Sequence, residues 1–141
     1  MQRTTRHFTL ALTLALALGF GVNALAQDAR PTIVLVHGAF AESSGWNGVI
    51  TDLTAAGYRA IAVPNQLRSV ASDAASVAAV VRSIDGPVVL VGHSYGGPVI
   101  TQAAVGQPNV VALVYVAAFA PDEGESSLSL SSMFPGKIGR A

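Results

Sequence analysis

Four apolar runs recur along the chain, each continuous rather than alternating: Ile33-Val34-Leu35-Val36, Ala60-Ile61-Ala62-Val63, Val88-Val89-Leu90-Val91 and Val110 to Val116. Rich in β-branched residues and without polar interruption, they suit strands buried on both faces, as in a parallel sheet covered by helices. Helical patterns lie between them. Trp46, Val49, Ile50 and Leu53 repeat at i, i+3, i+4 and i+7 and make one apolar stripe, with Ser43 or Ser44 to cap its start and Gly57 to end it. Val77, Val80, Val81 and Ile84 do the same before a stop at Gly86. A third helix is predicted from about Gly96 to Gln107, with Pro98 tolerated in its first turn and Gly106 and Pro108 closing it. The order is β-α-β-α-β-α-β, an α/β class in which right-handed crossovers wind an open parallel sheet flanked by helices. From Asp122 to Ala141 the chain is rich in Ser, Gly, Pro and acid and lacks strong periodicity, which predicts a loop or the start of a cap.

The N-terminal stretch is set apart from this pattern. Arg3 and Arg6 precede an apolar run from Phe8 to Val22, and Ala24-Leu25-Ala26 follows as a small-x-small cleavage site. That order predicts a secretory signal peptide over 1–26, cut between Ala26 and Gln27, with 27–141 as one globular domain. A retained membrane anchor is the alternative. The run is short for a span of ~20 residues and the cleavage site follows at once, so export to the periplasm or the medium is expected, with no stable anchor.

Composition narrows the classes further. Of 141 residues, 51% are hydrophobic and 11% charged, which argues for a dense interior rather than a disordered tail. Formal net charge is zero, and −2 after loss of Arg3 and Arg6, with no block of like charge. Nothing here favours nucleic acid as a partner; a small-molecule substrate is expected instead. There is no cysteine, so neither a disulfide nor a lipid-anchored Cys is available.

The strongest chemical pattern is Gly92-His93-Ser94-Tyr95-Gly96-Gly97, directly after one predicted strand and directly before a helix. This is the context of a nucleophile elbow. The chain turns sharply and holds the serine in a strained conformation. Side chains two residues either side would collide, and Gly92 and Gly96 remove them. Ser94 is the candidate nucleophile, its hydroxyl placed at the C-terminal edge of the sheet, where ligands bind in such folds. A bare Gly-rich turn without chemistry is the alternative. A dinucleotide fingerprint fails because the second glycine of G-x-G is Ser94, and no Gly-Lys-Ser/Thr phosphate loop is present. No cofactor and no metal is expected.

A second pattern, His37-Gly38-Ala39-Phe40, follows the first of the four strands. In acyl transfer two fixed backbone N–H groups stabilise the developing oxyanion. One comes from the residue after the nucleophile, Tyr95, and the other from this earlier loop, at Ala39, in the stretch that His37 and Gly38 begin.

The segment from about Pro31 to Glu125 resembles the α/β-hydrolase superfamily: VLVHGAF, then SSGW, LVGHSYGG and YVAAFAPDEGES are similar to the small esterase-like branch that includes plant methylesterases and hydroxynitrile lyases. By that resemblance the four strands correspond to strands 3 to 6 of the fold, Ser94 to the nucleophile, and Ala39 and Tyr95 to the oxyanion donors. The resemblance implies a carboxylic-ester hydrolase acting on small or medium apolar substrates. A lyase or an acyltransferase on the same fold is the alternative, since fold does not determine chemistry.

Other polar residues read more plainly. His93 neighbours the nucleophile but its position on the elbow points it away from the hydroxyl. Trp46 is expected in the core, and Arg68 as a solvated loop residue. Asp122, Glu123 and Glu125 follow the fourth strand, where some hydrolases of this fold carry the triad acid; the branch resembled places it after the next strand. The triad order is Ser, acid, His, yet no histidine follows His93. The general base and the last strands of the fold are therefore expected outside these residues, in a longer protein or lost from a truncated gene. Loss of a catalytic histidine costs ~10⁶ in turnover, so this stretch alone is expected to be a poor enzyme or an inactive fragment, with an apolar sheet edge at its end.

Overall fold

The computed structural model describes residues 30–122 and 125–133. The expected signal peptide and Glu123 lie outside them. Four strands, β1 (Thr32–Val36), β2 (Ala60–Val63), β3 (Val88–His93) and β4 (Val110–Val116), form one sheet in the order β2-β1-β3-β4, every neighbouring pair parallel. The helices are α1 (Asn47–Ala55), α2 (Val70–Arg82), α3 (Gly96–Ala104) and a short α4 (Ser127–Met133) within the stretch expected to be loop or cap. The chain works outward from β1 to β2, then returns to β3 and continues to β4. The strand order therefore reverses between β1 and β3, and the C-terminal ends of those two strands border a switch-point crevice.

Register assigns each side chain to a face. Val34 pairs with Leu90, Val36 with Gly92 and Val36 with Val63, placing these positions on one side with Val88, Leu113 and Tyr115. There they meet Ala74, Val77, Ala78 and Val81 of α2 and Val99, Ile100 and Ala103 of α3, which together make the core. Leu90 and Ile100 are fully buried; each such side chain contributes roughly 1.5–3 kcal/mol over its exposed state. Helix α2 starts where Ser69 Oγ accepts the Ser72 N–H at 3.1 Å, satisfying one amide of the first turn. The predicted helix stops Gly57, Gly86 and Gly106 all have positive φ.

The opposite face carries Ile33, Leu35, Val89, Val91, His93, Val114 and Val116. It is buried at central β1 but open at β4, where Val114 and Val116 are 43% and 41% exposed. This corrects two expectations. No residue of α1 is buried, and Trp46, expected in the core, is only half-buried in a 3-10 turn (Ser43–Trp46) that precedes the helix. The apolar stripe meets the edge strand β2, where little lies beyond it to close the packing. Neither Ser43 nor Ser44 caps α1, because the 3-10 turn occupies the cap position and makes no side-chain cap bond. Helix α3 ends at Ala104, short of Gln107, with single turns closing Val105 onto Gln102 and Gln107 onto Ala104.

Candidate active site

Strand β3 runs straight into α3 through Ser94 and Tyr95, with no loop between them. Ser94 has φ of +52°, the left-handed region that costs an L-residue of order 1–3 kcal/mol and persists only when its surroundings impose it. They do so on both sides. The Ser94 N–H donates to Val116 O at 3.1 Å, extending the β3–β4 ladder past the strand, while Ser94 O accepts from the Gly97 N–H at 3.0 Å. The turn is as tight as the glycines allow. A Cβ on Gly92 would lie 2.4 Å from Gly96 O, and one on Gly96 would lie 2.5 Å from Val36 O, both backbone atoms that cannot swing away.

The Ser94 side chain is exposed, at the rim of the sheet. It lines a cleft of about 450 Å³ with Tyr95, Ala117, Ala118 and Phe119. The far wall is the chain leaving β4, and Ala117 within it has φ of +45°. Gly97 permits this wall to come close: a Cβ there would lie 2.4 Å from Phe119 O and 2.8 Å from the Ala118 Cβ. The glycine after the five-residue motif thus has its own reason, which depends on the distant Ala118–Phe119 segment and leaves no local mark in sequence.

The loop after β1 meets the elbow. A Cβ on Gly38 would sit 3.0 Å from the Ser94 Cβ and 3.0 Å from His93 Nδ1, so Gly38 brings this loop against the serine. A turn from Ala41 N–H to Gly38 O at 3.3 Å closes the loop around Ala39. Phe40 projects from it, fully exposed. His37 is buried and spoken for at both ring nitrogens. Nε2 accepts the Asn65 N–H at 2.8 Å, which leaves the proton on Nδ1 to be donated to Gly38 O at 2.8 Å. Asn65 Nδ2 also donates to His37 O at 2.7 Å. His37 therefore shapes the loop and has no nitrogen free to take a proton from Ser94. His93 lies on the sheet face opposite Gly92, edge-on to the Trp46 ring at 6.5 Å between centroids. Neither described histidine is placed as a base for Ser94.

Tyr95 begins α3 with helical backbone angles, and its hydroxyl donates to Asp73 Oδ2 of α2 at 2.8 Å. Burial of the phenol, then the hydrogen bond to Asp73 and its negative charge, push the Tyr95 pKa up to about 12. Asp73 was not singled out by the sequence, although it stands four residues before Val77 on the inward stripe of α2. Asp122 and Glu125 are exposed beyond the cleft, the Asp122 N–H donating to Glu125 Oε2 at 2.7 Å and the Glu125 N–H to Asp122 O at 3.0 Å. Among the described residues, no group of three or more His, Cys, Asp or Glu gathers where a metal ion could be held.

Comparison with known proteins agrees with this geometry. The family model of the Alpha/beta hydrolase family matches residues 33–140. A carbendazim hydrolyzing esterase of Nocardioides sp. (strain SG-4G) is 33% identical over 110 residues, covering 69% of this chain and 46% of that protein. An extracellular alpha/beta-hydrolase from a Paenibacillus species, described as sharing structural and functional homology with tobacco salicylic acid binding protein 2, superposes with a TM-score of 0.60. It is 26% identical, over 72% of this chain and 49% of that one. A pyrethroid hydrolase from Sphingobium faniae JZ-2 superposes with a TM-score of 0.55 at 27% identity, over 62% and 40% of the two chains. The chain spans about half the length of the relatives it matches.

Proposed function

Because the chain belongs to the alpha/beta hydrolase family, we propose that it supplies the nucleophile and oxyanion hole of an exported serine hydrolase that cleaves carboxylic esters of small or medium apolar substrates. The observation that carries this reading is Ser94: a non-glycine residue held at positive φ, exposed at the rim of the sheet, at the switch point of the strand order. The cleft beside it is walled by Ala117, Ala118 and Phe119, which offer an apolar surface to an acyl or alkyl group.

In this mechanism Ser94 Oγ attacks the ester carbonyl. The carbonyl π electrons move onto oxygen, and the Tyr95 and Ala39 N–H groups stabilise that charge, each worth about 2.7–4 kcal/mol in the transition state. The serine proton passes to a histidine supplied by sequence outside residues 30–133, oriented by an acid from the same source, and then to the departing alcohol. Water cleaves the resulting acyl-enzyme by the reverse course. His37 has both ring nitrogens taken, by Asn65 and Gly38, and His93 lies on the sheet face opposite Gly92, beside Trp46. Ester hydrolysis is favoured over a lyase or acyl-transfer reaction by the esterase and the pyrethroid hydrolase among the relatives. Export is supported by the signal-like N-terminus and by the extracellular Paenibacillus relative.

A fluorophosphonate probe tests the reading. The intact protein should gain one adduct on Ser94 and hydrolyse p-nitrophenyl butyrate, and Ser94→Ala should lose the adduct and about 10⁶ in turnover. Turnover that survives the substitution would reject the serine mechanism. Incubation with a cyanohydrin alongside the ester would expose a lyase by release of cyanide.

A further inference from the structure

Between Ser94 and Pro98 the chain reads Tyr-Gly-Gly, so Tyr95 carries the one side chain able to anchor the turn that begins α3. Its anchor is Asp73, 22 residues earlier. Asp73 is an unusual occupant of its place. It is 1% exposed, on the inward face of α2 beside Ala74 and Val77, where an apolar residue would ordinarily stand. Only Oδ2 is hydrogen-bonded, to the Tyr95 hydroxyl; Oδ1 is buried without a partner. A carboxylate so placed carries a desolvation cost that one hydrogen bond and a helix N-terminus offset only in part. Replacing a buried polar pair by apolar groups of similar shape is often neutral or stabilising. Stability alone therefore gives little reason for this pair, while its position gives another: the tyrosine it holds contributes the amide next to the nucleophile.

We propose that Asp73 is a positioning residue, whose carboxylate holds the Tyr95 phenol and so orients the Tyr95 N–H toward the oxyanion that forms at Ser94. The proposal rests on the serine-hydrolase reading above. A ring pinned at its hydroxyl end, with the backbone on either side restrained by Ser94 and by the start of α3, has little freedom to rotate the amide plane. Ser94 C=O and the Tyr95 N–H share one peptide plane; without the pin that plane is held at its oxygen alone, by the Gly97 N–H, and can rock about that single bond so that the N–H tilts. The consequence falls on turnover rather than on substrate binding, because the amide acts on charge that exists only in the transition state.

The test uses the intact protein with p-nitrophenyl butyrate. Tyr95→Phe and Asp73→Ala should each lower kcat about tenfold with KM unchanged within about twofold; outright loss of an oxyanion donor costs 10²–10³, and here the donor is misaligned rather than removed. The double variant should also fall about tenfold, not a hundredfold, because both changes break one link. Asp73→Asn, whose amide oxygen can still accept from the phenol, should recover kcat to within about threefold of the parent. Tyr95→Phe and Asp73→Asn keep the proposal testable if Asp73→Ala does not fold. Asp73→Leu with Tyr95→Phe should equal the parent in urea stability while remaining slow, which a purely structural pair would not show. Full kcat in Tyr95→Phe, or a hundredfold loss in the double variant, overturns the proposal. Ser94→Ala separates the two claims: an active Ser94→Ala enzyme removes the hydrolase reading itself, whereas an inactive one beside a fully active Tyr95→Phe removes only the role of Asp73.

Discussion

Gly96→Ala and Gly48→Ala are the same substitution in the first turn of two helices, and the structure gives them opposite signs. At Gly48 in α1 a new Cβ meets nothing within 4 Å. Exchanging Gly for Ala there restricts the unfolded chain and suits the helix, for a gain of about 0.5 kcal/mol. At Gly96 the new Cβ would lie 2.5 Å from Val36 O, 3.1 Å from Val36 C and 3.2 Å from His37 O. Ordinary contact needs roughly 3.5–4 Å, so α3 and β1 would have to part by about 1 Å. Val36 is fully buried and paired to both Val63 and Gly92, and moving it disturbs three strands at once. Overpacking of a well-packed site costs about 1–3 kcal/mol, and a backbone obstruction belongs at the upper end. Allowing for the helix gain, the net loss is about 2–2.5 kcal/mol. With a urea slope of about 1.5 kcal/mol/M, the unfolding midpoint should fall by roughly 1.3–1.7 M for Gly96→Ala and rise by about 0.3 M for Gly48→Ala. A Gly96→Ala midpoint at or above the parent's, with the slope unchanged, would refute the close approach of α3 to β1 on which the placement of Ser94 depends.

Three other outcomes are expected. Leu90→Ala empties a fully buried position between the sheet and its two core helices and should cost about 3–4 kcal/mol by urea unfolding. Gly97→Ala should act on the cleft more than on the fold: the Cβ meets half-buried Ala118 and exposed Phe119, a segment leaving the sheet edge that can yield, so a stability loss of about 1 kcal/mol should accompany a roughly tenfold lower kcat/KM on p-nitrophenyl butyrate. Tyr95 sets an alkaline dependence. Its folded pKa of about 12 stands above the ordinary 10.0, so the native state holds a proton that the unfolded state releases. That stabilisation is complete below pH 10 and is lost as pH rises from 10 to 12. Asp73→Asn removes the charge and should narrow this window, which a tyrosine absorbance titration followed alongside unfolding would detect.

Much of the fold can be read from local pattern because its determinants are local. Unbroken β-branched-rich runs mark β1 to β4 to within two residues at each end, although only β1 is buried along its whole length. Where pattern misled, a tertiary cause is visible. The stripe of Trp46, Val49, Ile50 and Leu53 has the right period for a buried helix face, but it lies over edge strand β2, and Val49 stays 41% exposed. Periodicity reports which side of a helix can be buried; how deeply depends on what the sheet offers beneath it.

The candidate site divides in the same way. Gly92, Ser94 and Gly96 announce themselves because they fall within five consecutive residues between a strand run and a helix pattern, although the obstacle Gly96 avoids is the Val36 carbonyl of β1. The groups that hold this turn in place come from far along the chain: Asp73 for Tyr95, Asn65 for His37, and the Ala118–Phe119 backbone for Gly97. None follows from residue spacing, since each depends on which crossover lands beside which strand. Asp73 still left a trace, as the one acid on an otherwise apolar stripe with Val77 and Val81. A charge on the inward face of a helix must be answered by a partner, and in a sheet of order β2-β1-β3-β4 the α2 face reaches the start of α3. The residue waiting there is Tyr95, beside the nucleophile. A buried acid that breaks an apolar stripe is thus a reason to look for the polar group it serves, and in this chain that search leads to the elbow.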